Sequence, residues 1–134
     1  MMYNEKHESM KKEAIEAIIE HLEDGYSGYY CDLHNEVFNT DYYIIGTYEA
    51  KEALREYDVF DAIELVQGYE KDAFGEVNTD LSNPEQLINM VYYVIGDEVI
   101  CEMNEIEEFS DNWNNCADDE TNAIIIKAMK EMFE

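Results

Sequence analysis

The chain has 134 residues, and 33 Asp and Glu against 8 Lys and Arg give it a formal net charge of −25. A folded chain of this size exposes roughly 7,300 Å², about one excess negative charge per 290 Å², a field that repels nucleic acid and anionic membranes and excludes direct DNA or RNA binding. An apolar content of 46% with 13% aromatics excludes an acidic disordered tail, so residues 1–134 are read as one folded acidic domain.

Residues 8–24 read as an amphipathic helix. Ser9 offers a cap, and Ile15, Ile18, Ile19 and Leu22 form the apolar stripe. Glu13, Glu16, Glu20 and Glu23 form a second stripe at spacings of 3, 4 and 3, and Gly25 is placed to end the helix. Tyr29, Leu33 and Val37 recur every four residues and favour a short helix, followed by a turn or new cap at Asn39-Thr40-Asp41. Tyr42 to Ile45 reads either as a short strand or as the first turn of a helix. A helix is expected from about Thr47 to Tyr57, where Glu49 to Glu56 are strong helix formers.

Asp58 can cap the next helix, with Phe60, Ile63, Val66 or Leu65, and Tyr69 as its apolar positions. Gly75 to Ser82 is a polar connection. Ser82-Asn83-Pro84-Glu85 is a start signal for a helix running to about Glu107. Its apolar face is Leu87, Ile88, Val91, Tyr92, Ile95, Val99, Met103 and Ile106. Gly96 inside it costs about 1 kcal/mol relative to Ala, which a close helix neighbour would explain. Residues 109–117 read as a loop with Trp113 folded back as a lid. Asp118, Asp119 and Thr121 offer caps for a last helix to about Phe133, with Ile125, Met129, Met132 and Phe133 facing inward. The fold expected is a mainly α, compact bundle of five or six helices with at most a small β-hairpin.

Three cysteines, Cys31, Cys101 and Cys116, match no disulfide scaffold and fit reduced thiols in a cytosol. The N-terminus has no apolar signal region, and no apolar run is long enough to cross a bilayer. Cys31-x-x-His34 has a ligand-like spacing but no second pair to complete a metal site, and no third group to orient a Cys-His nucleophile. Asp111 to Asn115 fails as a calcium loop: no Gly stands at the sixth position and Asn122, not Glu, at the twelfth. Glycine-rich phosphate loops are absent. No cofactor is expected.

The charges are positioned. No Lys or Arg lies between Glu13 and Ala50, a window with nine acids, or between Asp72 and Ile126, a window with fourteen. Residues 97–120 carry ten of them: Asp97, Glu98, Glu102, Glu105, Glu107, Glu108, Asp111, Asp118, Asp119 and Glu120. Basic partners at i,i+4 are therefore missing, and local ion pairing does not explain these acids. An acid every 3.5 residues of helix is one charge per about 5 Å of axis, against one per roughly 1.7 Å in duplex DNA. Two or three neighbouring stripes would approach that density. Three Tyr-Tyr pairs, at 29–30, 42–43 and 92–93, place one ring of each pair at the core edge and leave the other for contact.

The combination of this length, dense Glu and Asp, 11 Tyr and little Lys resembles the small acidic phage proteins that mimic DNA, of the anti-restriction, anti-CRISPR and glycosylase-inhibitor types. The segments Asn39 to Thr47 and Phe74 to Pro84 are similar to parts of small phage proteins. The resemblance implies a non-enzymatic inhibitor in the host cytoplasm, occupying the channel of a basic nucleic-acid-binding host protein. The residues expected to stand in for phosphates are Glu98, Glu102, Glu105, Glu108, Asp111, Asp118, Asp119 and Glu120, with Glu13, Glu16, Glu20 and Glu23 as the second stripe. A homodimer would lengthen the imitated duplex. The alternative is an acidic helical adaptor or assembly protein acting through an apolar face. A third reading, an enzyme of unrecognised type, needs a pocket gathering Cys31, His34 and an acid.

Overall fold

A computed structural model of the protein describes residues 2–39 and 47–133. The strand-or-helix reading of residues 42–45, and the turn expected from residue 39 into 41, fall outside the described residues. The elements in chain order are α1 (Met2–Glu23), a 3₁₀ turn (Tyr30–Asp32), α2 (Leu33–Phe38), α3 (Thr47–Tyr57), α4 (Val59–Phe74), α5 (Pro84–Met103), α6 (Glu107–Asp111) and α7 (Asp119–Met132). Five long helices make the bundle, and α2 and α6 are short bracing turns. Among the described residues there is no strand. One antiparallel bridge, between Tyr29 and Cys116, is all that answers to the hairpin.

Helix α5 is the axis. Leu87, Ile88, Val91, Tyr92, Ile95, Val99 and Met103 are buried as the sequence pattern requires, and so are Met90, Val94 and Ile100 on its other faces. It is enclosed because α1, α2, α3 and α4 all pack against it. Asn83 caps it by accepting from the N–H groups of Glu85 and Gln86, with Pro84 at the first position. The close neighbour demanded by Gly96 is α2. A Cβ at Gly96 would stand 2.4 Å from a carbon of the buried Phe38 ring.

Three boundaries differ from the sequence reading. Helix α1 begins at Met2, so Ser9 is an interior residue and not the cap. The added turns carry His7, which reaches across to Glu98 of α5 next to the pair of Lys11 with Glu102. Helix α5 stops at Met103, short of the expected Glu107: the Asn104 side-chain amide donates to the Ile100 carbonyl, the chain turns, Ile106 precedes α6, and α6 takes in Phe109 to Asp111, where a loop was expected. In α4 the buried residues are Ala62, Val66 and Glu70, while Phe60, read as an inward position, is 81% exposed. Periodicity alone could not choose between these adjacent rows.

Gly25 ends α1 with a φ of +92°, a conformation glycine adopts without the clash of a Cβ. The chain then returns along residues 28–31 and bonds to the segment before α7. Tyr30 N donates to the Asn115 carbonyl, Cys31 N to that of Trp113, and Ala117 N to that of Gly28. Asn122 of α7 is buried between them: its Oδ1 accepts from the Tyr30 hydroxyl at 2.5 Å, and its Nδ2 donates to the Tyr26 carbonyl at 3.0 Å. Trp113 is half-buried, edge-on to Phe109 with ring centres 5.5 Å apart.

Candidate functional site

Two acidic groups meet at one end of the bundle. Glu105 sits in the turn after α5. Glu107, Glu108 and Asp111 lie on α6, and Asp118 caps α7, with Asp119 and Glu120 in its first turn. Helices α6 and α7 are in contact, so these seven acids share one region. All seven are exposed, and among the described residues none of them joins an ion pair. Asp118 accepts from the Thr121 N–H at 2.8 Å and hydroxyl at 3.0 Å, and those bonds hold its carboxyl below the ordinary carboxylate range. Asp119 and Glu120 also suit the positive end of the α7 dipole.

The second stripe is only partly free. Glu16, Glu20 and Glu23 are exposed on α1. Glu20, Asp24 and Glu36 line a shallow recess between α1 and α2. Glu13, by contrast, accepts a bond from the Tyr92 hydroxyl at 2.7 Å. From Glu23 the chain reaches Tyr26 in three residues, Tyr26 is bonded to Asn122, and Asn122 is one turn from Asp118. Summing those links puts the Cα atoms of Glu23 and Asp118 within roughly 26 Å, less than the roughly 34 Å of one duplex turn.

Glu98 and Glu102 have partners on α1. Glu102 pairs with Lys11 at 2.8 Å and Glu98 with His7 at 2.9 Å, tying α1 to α5. Helical i,i+4 counting missed both partners because they lie 91 residues away. The bond to Glu98 raises the His7 pKa, the Glu98 charge adding to it, and the other ring nitrogen meets the Tyr57 hydroxyl at 3.2 Å. Lys6 pairs with Glu56 and Arg55 with Glu52 on the same side. The basic residues with these contacts sit on α1 and α3.

Cys31 and His34 do not form a metal pair. His34 Nε2 donates to the Tyr93 carbonyl at 2.7 Å, and burial lowers the His34 pKa. The ring is neutral at pH 7, so its 3.9 Å approach to Asp97 is not an ion pair at that pH. Among the described residues no three His, Cys, Asp or Glu side chains converge as a metal site. No described helix is long and apolar enough to cross a membrane.

Sequence reasoning missed Glu70. It is 2% exposed, and its carboxylate accepts from the N–H groups of Asn78 (2.6 Å) and Thr79 (3.1 Å), pinning the connection to α5. The only sequence signal was its spacing of four from Val66 and eight from Ala62. No protein-family model, curated protein or solved structure matches the chain.

Proposed function

We propose that the protein is a non-enzymatic DNA-mimic inhibitor of the phage type, which blocks the nucleic-acid-binding surface of a basic host defence or repair protein in the host cytoplasm. The observation that carries this reading is the end formed by α6 and the start of α7, where Glu105, Glu107, Glu108, Asp111, Asp118, Asp119 and Glu120 are all exposed and unpaired among the described residues. Glu23 lies within roughly 26 Å of Asp118 between Cα atoms. Unpaired like charges repel one another, and a basic channel relieves that repulsion while its counterions are released. Burying so many carboxylates requires a strongly basic partner, because an unpaired buried acid is costly.

Glu98, Glu102 and Glu13 already have partners, so they serve the fold first. Charge reversal at Glu105, Glu108 and Asp111 is the cleaner perturbation, since reversing Glu102 would also break the Lys11 tie. The test is competition. A host protein captured at low salt is loaded with labelled duplex DNA, and this protein is added. Displacement of the DNA supports the reading; simultaneous binding of both contradicts it.

A second reading has its own observation. Phe60 is 81% exposed and Val59 43%, side by side at the start of α4, and Tyr48 at the start of α3 is 73% exposed. An adaptor or homodimer would use such residues as contact anchors. Sedimentation of the parent and of Phe60→Ser separates the two: a dimer lost in the variant favours the adaptor, and a monomer in both favours the mimic.

A further inference from the structure

Helix α7 buries Asn122, Ile125 and Met129 against the bundle, where it packs on α1 and α6. The opposite row, Glu120, Ala123, Ile124 and Lys127, is exposed. Spacings of 3, 1 and 3 keep those four residues on one face. The two ends of the face carry opposite charges. Asp119 and Glu120 stand in the first turn, and Lys127 and Lys130 in the second half. Lys6, Lys11 and Arg55 have each found an acid in this chain. Lys127, Lys130 and Glu120 join no ion pair among the described residues.

We propose that this face of α7 binds the same face of a second copy of the chain, antiparallel, about a two-fold axis between Ala123 and Ile124. A two-fold contact needs a self-complementary surface: where one residue meets another, the second must meet the first. Glu120 and Lys127 satisfy that condition. Each lies about 5 Å along α7 from the axis, on opposite sides of it, so Glu120 comes level with Lys127 of the second copy and Lys127 with its Glu120. Ala123 faces Ile124 in both directions, a small residue against a large one, which suits helices about 8–10 Å apart. Lys130 comes within about 3 Å of the level of Asp118 and Asp119 of the second copy. Other registers fail. A shift of one turn sets Glu120 against Glu131 in one direction and against Ala123 in the other, and a parallel pair sets acid on acid and lysine on lysine. Two bodies of charge −25 repel one another at long range, so a second copy has to present bases where they meet, and α7 carries two of only eight. This interface stands whether or not the acidic end mimics DNA.

The test is sedimentation of the full chain in 150 mM salt (about an 8 Å Debye length), which screens the long-range repulsion more than the contact pairs. One helix face stays below the roughly 1,200 Å² of a standard interface, so the chain is examined at roughly 0.1–1 mM. The parent should form a dimer that dissociates on dilution. Glu120→Lys sets lysine on lysine and Lys127→Glu sets acid on acid, so each variant alone should dimerise at least ten-fold more weakly. An equimolar mixture of the two restores both pairs and should form a heterodimer with close to the parent's affinity. Glu120→Lys/Lys127→Glu in one chain should dimerise like the parent. Phe60→Ser should leave the dimer unchanged. Should either single variant lose its helical circular dichroism, Ile124→Asp, which sets like charges beside the axis, replaces it and should also lose the dimer. A parent that stays monomeric over this range, folded single reversals that dimerise like the parent, a mixture that stays monomeric, or a dimer abolished by Phe60→Ser would overturn the proposal.

Discussion

Replacing Gly96 by alanine sets two effects of opposite sign against each other. Alanine in a helix interior is favoured over glycine by about 1 kcal/mol. The added Cβ, however, would stand 2.4, 2.6 and 2.7 Å from three carbons of the Phe38 ring, and Phe38 is fully buried. Carbon atoms rest at roughly 3.5–4.0 Å, so the ring must retreat by about 1 Å or more into a packed core. Overpacking of that kind costs about 1–3 kcal/mol, and an intrusion this deep belongs in the upper part of that range. The net expectation for Gly96→Ala is a loss of about 1–2 kcal/mol, read as a lower urea midpoint at unchanged slope by circular dichroism. A Phe38→Leu background, with a smaller side chain over the glycine, should abolish or reverse the loss, giving a coupling of about 1 kcal/mol or more in the double-mutant cycle. If Gly96→Ala is as stable as the parent or more stable, α2 does not sit on α5 as described.

Further outcomes follow from other contacts. Glu70→Ala leaves the Asn78 and Thr79 amides without their acceptor and should cost about 2–3 kcal/mol, whereas Glu70→Gln keeps one acceptor oxygen and should cost less; urea midpoints of the two variants test the order. His7 and His34 act in opposite directions. His7 has a raised pKa, so its contribution is fully present below the unfolded value of 6.5 and fades as pH rises through the higher folded value. His34 has a lowered pKa, so folding loses stability as pH falls below 6.5 and the unfolded chain takes up the proton first. Proton NMR of the two rings should show one midpoint on each side of 6.5, and His7→Gln should flatten the loss at the alkaline end. A His34 ring that titrates above 6.5 would contradict its burial against Tyr93.

Local signals carried the fold well where they acted alone. Asp58 and Asp118 both cap the helices assigned to them, and α3 spans Thr47–Tyr57 as its helix formers predict. The periodic positions of α5 are buried, although its other faces are largely buried as well. Signals failed where a distant residue decided the outcome. Ser9 is a good cap by itself, yet α1 begins before it, in turns that bring His7 to its partner Glu98 on α5. The inward row of α4 is set by α5, which admits Ala62 and Glu70 and turns Phe60 outward.

The acidic site was half legible for the same reason. Exposed acids at 105–120 follow from charge density alone, because bases are absent from that stretch of sequence. That Glu98, Glu102 and Glu13 already have partners was hidden: a cross-helix partner 91 or 79 residues away leaves no mark at i,i+4. The acids thus divide into those bonded to another helix and those without an ion pair among the described residues.

The most direct test of the central claim is the salt dependence of binding to a captured basic host protein, measured for the parent and for Glu105→Lys/Glu108→Lys/Asp111→Lys. Affinity for the parent should fall steeply and linearly with log salt concentration, as for DNA itself. The triple variant should bind at least ten-fold more weakly at low salt and with a shallower slope, while its melting curve stays close to the parent's. A parent affinity independent of salt, or a variant that binds like the parent, would contradict the claim that this end of the bundle stands in for phosphates.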